Sequence, residues 1–311
     1  MAEVVCLGIL VADVVGKPIE AFPPKGTLAP VERMELHVGG CAANTSLALA
    51  KLGVDTAILG RVGDDGFGQF LAGTLERHGV DTRGLGRDGQ EATSATMVAV
   101  DGAGERTFLH YPGANAAFTG ADVAWPVIEQ APILHVAGPF LMPRYMGADN
   151  AEVLRRAKAA GKVTTLDTVW DATGRWMSVL EPCLPFLDFL LPSHAEARHL
   201  TGRERPEEIA RALLDGGVGA VGLKLGAEGA YLRTAAGDEL RVPAFAVEAV
   251  DALGAGDCWA GGFLCGLARG WGLEKTARFA NAAGACAVQA LGATTGIRSF
   301  EATYALAFGA S

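Results

Sequence analysis

Basic residues are scarce for a chain of 311 residues: 26 Lys and Arg stand against 35 Asp and Glu, a formal net charge of −9 at pH 7. Phosphate backbones and anionic lipid surfaces select basic protein surfaces, so neither nucleic acid nor membrane is expected as a partner. No uninterrupted apolar run reaches the ~18 residues of a membrane span, and no basic-then-apolar leader is seen. The six cysteines (Cys6, Cys41, Cys183, Cys258, Cys265, Cys286) include no C-x-x-C pair and sit mostly in apolar context. That is the usage of buried small hydrophobes in a reduced compartment, and a cytoplasmic location is expected. The histidines lack zinc-ligand spacing. The first apolar run ends in Gly8-Ile-Leu-Val-Ala-Asp13 rather than G-x-G-x-x-G, which speaks against a dinucleotide-dependent dehydrogenase. Half the residues are hydrophobic, which excludes general disorder and allows a sizeable core.

Apolar runs at 4–10, 56–62, 133–136, 163–167, 186–191 and 220–225 read as strands, most of them buried on both faces. Helical stretches at 41–52, 66–78, 151–160 and 273–291 separate several of them. This alternation predicts an α/β fold: a doubly wound, mainly parallel sheet with helices on both faces. Two regions break the pattern. Residues 18–30 are rich in proline and glycine, followed by an alternating segment at 33–38; residues 93–100 and 105–111 flank Asp101-Gly102-Ala103-Gly104 as a β-hairpin. A hairpin amid βα units reads as an antiparallel appendage.

The chain is organised around residues 250–262. A short apolar segment, 245–250, expected as a strand, runs into Gly254-Ala255-Gly256 and then a long apolar helix. The first N–H groups of that helix have no internal partner and the helix dipole adds positive charge, a ready anion site. Asp257 in the same turn is either a stabilising first-turn carboxylate, worth ~0.3–1 kcal/mol, or a base beside a phosphate cradle. Gly261-Gly262 costs the helix about 1 kcal/mol per glycine, so a close approach is expected there. Elsewhere the same duality recurs. Asp13 is a turn residue or a ligand at the carboxyl end of a strand. Gly39-Gly40 is a hinge or a backbone surface for a polyol, with the Asn44 amide alongside. Asp167 ends a strand as a cap or a ligand. Ser193 with Glu196 is a capping box or half of a magnesium site. Lys224 snorkels or adds a cation next to Gly226 and Gly229. The small residues around Asn281 pack helices or leave room for a flat ring. Trp170 and Trp176 are expected in core or lid packing.

Asp251-Ala-Leu-Gly-Ala-Gly-Asp257 resembles the D-T-x-G-A-G-D signature of the ribokinase-like (PfkB) sugar kinases. Gly39, Gly40 and Asn44 match that family's G-G-x-x-x-N, with Cys41 where several members carry lysine. Gly63 to Gly68 resembles its G-x-D-x-x-G. Glu196 fits N-x-x-E with Ser193 for the asparagine, and Lys224 replaces the threonine of T-L-G-x-x-G. The resemblance runs from Gly8 to about Gly296. It implies a ribokinase-like core (1–10, 39–90 and 118–311) and a small β lid (11–38 and 91–117) through which a homodimer would form. It also implies transfer of the γ-phosphoryl group of ATP to a sugar-like small molecule. Asp257 would be the base, and the N–H groups of Ala255, Gly256 and Asp257 (the Gly254–Gly256 turn) the anion hole. Asp13, Gly39, Gly40 and Asn44 would hold the acceptor. Lys224, Gly226, Gly229 and Asn281 would hold the nucleotide, with Mg²⁺ kept by phosphates, water and Glu196. Asp251 matches the carboxylate of a K⁺ site, with Ala252 replacing the usual threonine. A nucleoside kinase of the same fold is the rival, with Phe108, Tyr111 and Phe118 as stacking candidates; a sugar-acid kinase, such as one for 2-keto-3-deoxygluconate, is another. A non-catalytic sugar sensor would be expected to lack Asp257. Neutral sugars rank first, sugar acids second and phosphosugars last, because only Arg106 and Arg33 in the presumed lid could meet an acceptor's negative charge.

Overall fold

Val4–Gly8 (β1), buried throughout, is the third strand from one edge of a nine-stranded sheet. The computed structural model describes residues 1–309. Thr56–Gly63 (β4) and Asp81–Asp88 (β5) lie on one side of β1. Ile133–Ala137 (β8), Val163–Asp167 (β9), Phe189–Leu190 (β10) and Ala220–Lys224 (β11) follow in order on the other. All these pairings are parallel; Ala230–Thr234 (β12) and Glu239–Val242 (β13) close that edge as antiparallel strands. Alternation along β1 assigns its two faces. Val5 and Leu7 join a core shared with Leu154, Ala197 and Leu213, while Val4 and Cys6 join one shared with Leu47, Leu264 and Phe279. Helices therefore cover both faces, as the continuous apolar strands require.

Three boundaries depart from the sequence reading. Residues 186–191 yield only two strand residues, because Glu181–Phe186, with Pro182 and Pro185, forms a 3₁₀ turn instead. Residues 245–250 are extended but pair with no strand. Pro243 ends the β13 ladder, and the Val250 N–H donates to the Val288 carbonyl of a helix. The expected lid segment 11–38 contains, before the excursion at 18–30, a strand the reading did not place, Val11–Lys17 (β2). It pairs antiparallel with Arg33–Gly39 (β3) and parallel with Ala95–Val100 (β6), which forms the expected hairpin with Arg106–Tyr111 (β7).

The order of this second sheet is β3-β2-β6-β7. Its register puts Asp13, His37, Thr96, Phe108, His110 and Arg106 on one face. The other carries Val14, Met34, Leu36, Met97, Leu109 and Tyr111, of which Met34 is 64% exposed and Leu109 57%. The two faces differ in chemistry as sharply as those of a half-buried sheet.

Gly261 and Gly262 have a packing explanation. A Cβ on Gly261 would come 2.9 Å from that of Ala48, and one on Gly262 would come 2.8 Å from that of Ala283 and 2.9 Å from Ala280 Cα. The close approach anticipated from the sequence is thus made by the helices Cys41–Lys51 and Leu273–Val288, not by a ligand. Alanine is the better helix former by about 1 kcal/mol, yet Gly262→Ala is expected to lower stability by about 1–3 kcal/mol through overpacking. Urea unfolding checks this; a raised midpoint would mean that the helices part at no cost.

Candidate active site

The carboxyl ends of the parallel strands carry the chemistry, as open α/β sheets require. Asp167 ends β9 and Lys224 ends β11, and the Lys224 Nζ lies 2.6 Å from both Asp167 oxygens. Asp167 is therefore an ion-pair partner, not a cap. The lysine is 12% exposed and the aspartate 2%. Burial pushes the Asp167 carboxyl up, against the pull of the Lys224 ammonium. For Lys224 burial acts downward, but the negative charges of Asp167 and Glu196 outweigh it and hold the ammonium protonated.

Gly254 begins the helix Ala255–Ala268 in a left-handed conformation, φ 71°, and its Cα faces Ala293, whose carbonyl oxygen an added Cβ would approach to 2.6 Å. Any other residue would be strained and blocked there. The Ala255 N–H donates to Ala252 O at 3.3 Å, so the expected trio of free amides is reduced; those of Gly256 and Asp257 have no partner among the described residues. The next N–H, of Cys258, already closes the helix onto Gly254 O at 2.8 Å.

Asp257 is half-buried beneath these amides. Asn44 Nδ2 donates to its Oδ2 at 2.8 Å. Burial raises the Asp257 pKa; the Asn44 bond, the Lys224 charge and the neighbouring Cys41 thiol oppose it. Asn44, expected to hold the acceptor, thus orients the Asp257 carboxylate. Its Oδ1 is buried with no protein partner, an orphan acceptor beside Asp257.

Gly40, φ 89°, starts the Cys41–Lys51 helix, and Gly39 lies under Asp13 so closely that a Cβ there would overlap the carboxylate. Asp13 projects from β2 on the face shared with Thr96 and His110, which are 3.0 Å apart, and with His37. Burial pushes Asp13 up to about 6, against a bond from Thr96 and the charge of His37, with Asp257 adding to the rise.

Two clefts meet at Gly256. One, of about 340 Å³, is largely apolar and lined by Ala227, Phe245, Val247, Gly284, Ala285 and Val288, with Lys224, Gly226 and Gly229 at its rim. The other, of about 350 Å³, is lined by Cys41, Asp167, Thr168, Glu196 and Asp257. Glu196 Oε2 receives Ser193 N–H, Ser193 Oγ and Thr168 Oγ1 at 2.7–3.0 Å, so the capping box is real. Its Oε1 has no recorded hydrogen bond and remains free for a water. Among the described residues, no three His, Cys, Asp or Glu side chains converge as a metal cage.

Other expected residues lie elsewhere or are occupied. Asn281 Nδ2 donates to the Val242 and Pro243 carbonyls, while its Oδ1 accepts from Trp259 Nε1. It ties β13 to two helices rather than offering its amide to a ring. Asp251 accepts from Arg106, so the carboxylate expected to bind K⁺ is already neutralised. Phe118 is in the core against Tyr145, and Tyr111 is on the outer face of the second sheet, which leaves Phe108 alone among the stacking candidates. Trp170 and Trp176 cluster with His199, on the helix that carries Glu196. The sequence reading missed Thr96, His110 and the use of Arg106. It also missed Asn115, whose amide pairs with both backbone groups of Leu10. Opposite charges at the ends of nearby parallel strands were the available signal for Asp167 and Lys224.

A buried carboxylate beside unpaired helix-start amides and a buried ammonium, where an apolar cleft meets a polar one, is an arrangement suited to phosphoryl transfer. The pfkB family carbohydrate kinase model matches residues 1–299, and the chain belongs to that family. It is 28% identical to the 2-dehydro-3-deoxygluconokinase of Bacillus subtilis over 285 residues, 89% of this chain and 88% of that protein. It is 30% identical to a fructokinase of Vibrio alginolyticus over 272 residues, 83% and 88% of the two chains. The structure of Arabidopsis thaliana ribokinase complexed with ribose and ATP superposes with a TM-score of 0.86 at 26% identity, covering 99% of each chain. The chain is accordingly an ATP-dependent carbohydrate kinase. No helix among the described residues is long and apolar enough to cross a membrane.

The raised Asp13 pKa carries a stability consequence. Its folded value, about 6, lies above the 3.8 of an ordinary aspartate, so folding disfavours the charged form. That cost is absent below pH 4, develops between pH 4 and 6 and is constant above. Asp13→Asn escapes it. The variant is expected to exceed the wild type by on the order of 1–3 kcal/mol above pH 6, at about 1.4 kcal/mol per pKa unit, while losing affinity for the acceptor. Urea midpoints at pH 4 and pH 7.5 check this; a gap of the same size at both would assign the gain to something other than the carboxylate.

Proposed function

We propose that this kinase phosphorylates a hydroxyl of an unphosphorylated, uncharged sugar, with Asp257 as the base. The observation that carries the reading is the placement of the Asp257 carboxylate beside the free Gly256 and Asp257 N–H groups, where the two clefts meet. The apolar cleft suits the nucleoside of ATP, held by the shape of Phe245, Val247 and Val288. Gly226 and Gly229 leave room for its phosphates. The two free amides hold the transferring phosphoryl oxygens, and Lys224 balances their charge. Asp257, oriented by Asn44, takes the proton from the attacking hydroxyl. Mg²⁺ fits as a partner of ATP: Glu196 would keep it through water on the free Oε1, and when bound it would spread the phosphate charge.

On the acceptor side, Asp13 and the orphan Asn44 Oδ1 accept hydrogen bonds, and the Gly39-Gly40 backbone lets a sugar lie close. Neither of the lid arginines the sequence reading considered is free beside Asp13: Arg106 is bound to Asp251, and Arg33, at the far end of β3, lies within 4.0 Å of Glu35. This supports neutral sugars first, sugar acids second and phosphosugars last. Phe108, 53% exposed on the Asp13 face, is the observation that keeps a nucleoside acceptor as the second reading. We read the β3-β2-β6-β7 sheet as the lid over this acceptor. Its apolar outer face suits a second copy of the chain.

Asp257→Asn should leave the fold and ATP binding intact and lower kcat by about 10²–10⁴, the usual worth of a positioned base. Near-normal turnover of the purified variant would remove Asp257 from the mechanism. For the acceptor, ADP release is compared across matched pairs such as fructose and fructose 6-phosphate. The neutral member is expected to have the higher kcat/KM, and the reverse order would overturn the substrate class.

A further inference from the structure

A monovalent cation at Asp251 would be held by oxygens with lone pairs to spare, from the carboxylate, hydroxyls or backbone carbonyls. Asp251 Oδ1 accepts the Leu253 N–H at 2.8 Å and Arg106 Nη2 at 2.6 Å, and Oδ2 accepts the Gly292 N–H at 2.9 Å. The side chain is 4% exposed, and Ala252 brings no hydroxyl. A second positive charge would meet a guanidinium already seated on that carboxylate. The carboxylate and its neighbours do not fit a cation beside it.

We infer that Arg106 is this kinase's built-in cation, a positioning residue that does from the second sheet what a bound monovalent ion would do at the Asp251 loop. The connection is short and physical. Arg106 opens β7, so its charge is carried by the same sheet that carries Asp13. The carboxylate it neutralises grips Leu253 and Gly292, one on each side of the contact between Gly254 and Ala293. Gly254 in turn sets the direction of the Gly256 and Asp257 amides, because the helix starts on it. His37, from β3 on the same face, also reaches this loop: a Cβ at Gly292 would lie 3.7 Å from its ring. Seating the second sheet and setting the anion hole are therefore one event. Arg106 cannot pair with Asp251 unless β7 is down on the core.

The inference rests on the kinase reading of the site, and the experiment separates the two. ADP release by the purified full chain is measured with the acceptors of those matched pairs in KCl, NaCl and choline chloride at equal ionic strength, and melting temperatures are taken in the same salts. The wild type is expected to have equal rates and equal melting temperatures in all three. Arg106→Ala is expected to lose about 10- to 100-fold in kcat, the effect of a misplaced catalytic group, with little change in the KM for ATP. Guanidinium ion at non-denaturing concentration should restore part of that rate to Arg106→Ala and none to the wild type, and Arg106→Lys should retain part of it. Activation or thermal stabilisation of the wild type by K⁺ over choline would overturn the inference, and needs no variant. So would an Arg106→Ala enzyme at full rate in choline. If no acceptor gives ADP release in any salt, the kinase reading fails, and the melting temperatures still decide the cation question.

Discussion

Four carboxylates and one ammonium converge where the parallel strands end, and the rest of the molecule is arranged to tolerate that imbalance. Asp257, Asp167, Glu196 and Asp13 all belong to the network of charges around Lys224 or Asp257. In a buried setting each charge needs a partner or hydrogen bonds. Asp167 has Lys224, Glu196 has Ser193 and Thr168, and Asp257 has Asn44 and Cys41. Asp13 has Thr96 and the neighbourhood of His37, and burial pushes it up to about 6. It faces the side proposed above for the acceptor, where sugar hydroxyls would complete its hydrogen bonding. An imbalance that weakens the free protein thereby favours the bound one.

This arrangement also explains why Lys224 is held so firmly before any nucleotide arrives. A lone lysine in so closed a place would lose its proton; bound to Asp167, it keeps its charge. An incoming phosphate does not have to create a cation, only to compete with a carboxylate for one that is already there. Preorganised charge of this kind is worth more than charge recruited from solvent, since little reorganisation accompanies the reaction.

Local rules carried the sequence reading as far as local rules reach. Glycine turn–helix at Gly254–Asp257 and glycine pair–helix at Gly39–Asn44 are written within a few residues, and both form as expected, although the strand expected before Gly254 does not. The parallel sheet followed from apolar runs whose two faces are both covered. Failures came wherever a side chain's partner is distant in the chain. Asn281 and the small residues after it do line the apolar cleft, but that Trp259 and the β13 end take up its amide was not legible. Gly261-Gly262 correctly signalled close approach, yet nothing local distinguishes a helix from a ligand as the approaching body. Asp251 matched a cation motif, and the guanidinium that answers it lies in a hairpin read only as an appendage. β2 was not placed, because it lies just before the excursion at 18–30 and its partner β6 is distant in the chain.

The two faces of the small sheet now take on a common meaning. Its inner face joins Asp13 to Arg106, so the strand that would touch the sugar and the strand that neutralises the Asp251 loop are bonded through β6. Its outer face exposes Met34, Leu36, Met97, Leu109 and Tyr111 together, a larger apolar grouping than scattered surface residues produce. Covering that face would stiffen all four strands at once, since a sheet transmits restraint along its hydrogen bonds. A cover on the outside and an ion pair on the inside would then act on the same equilibrium: how much of the time Arg106 sits on Asp251. If the second sheet is the lid proposed above, a guanidinium borne on it follows the seating of that sheet, and the geometry at Gly254 would be tied to the presence of an acceptor beneath it.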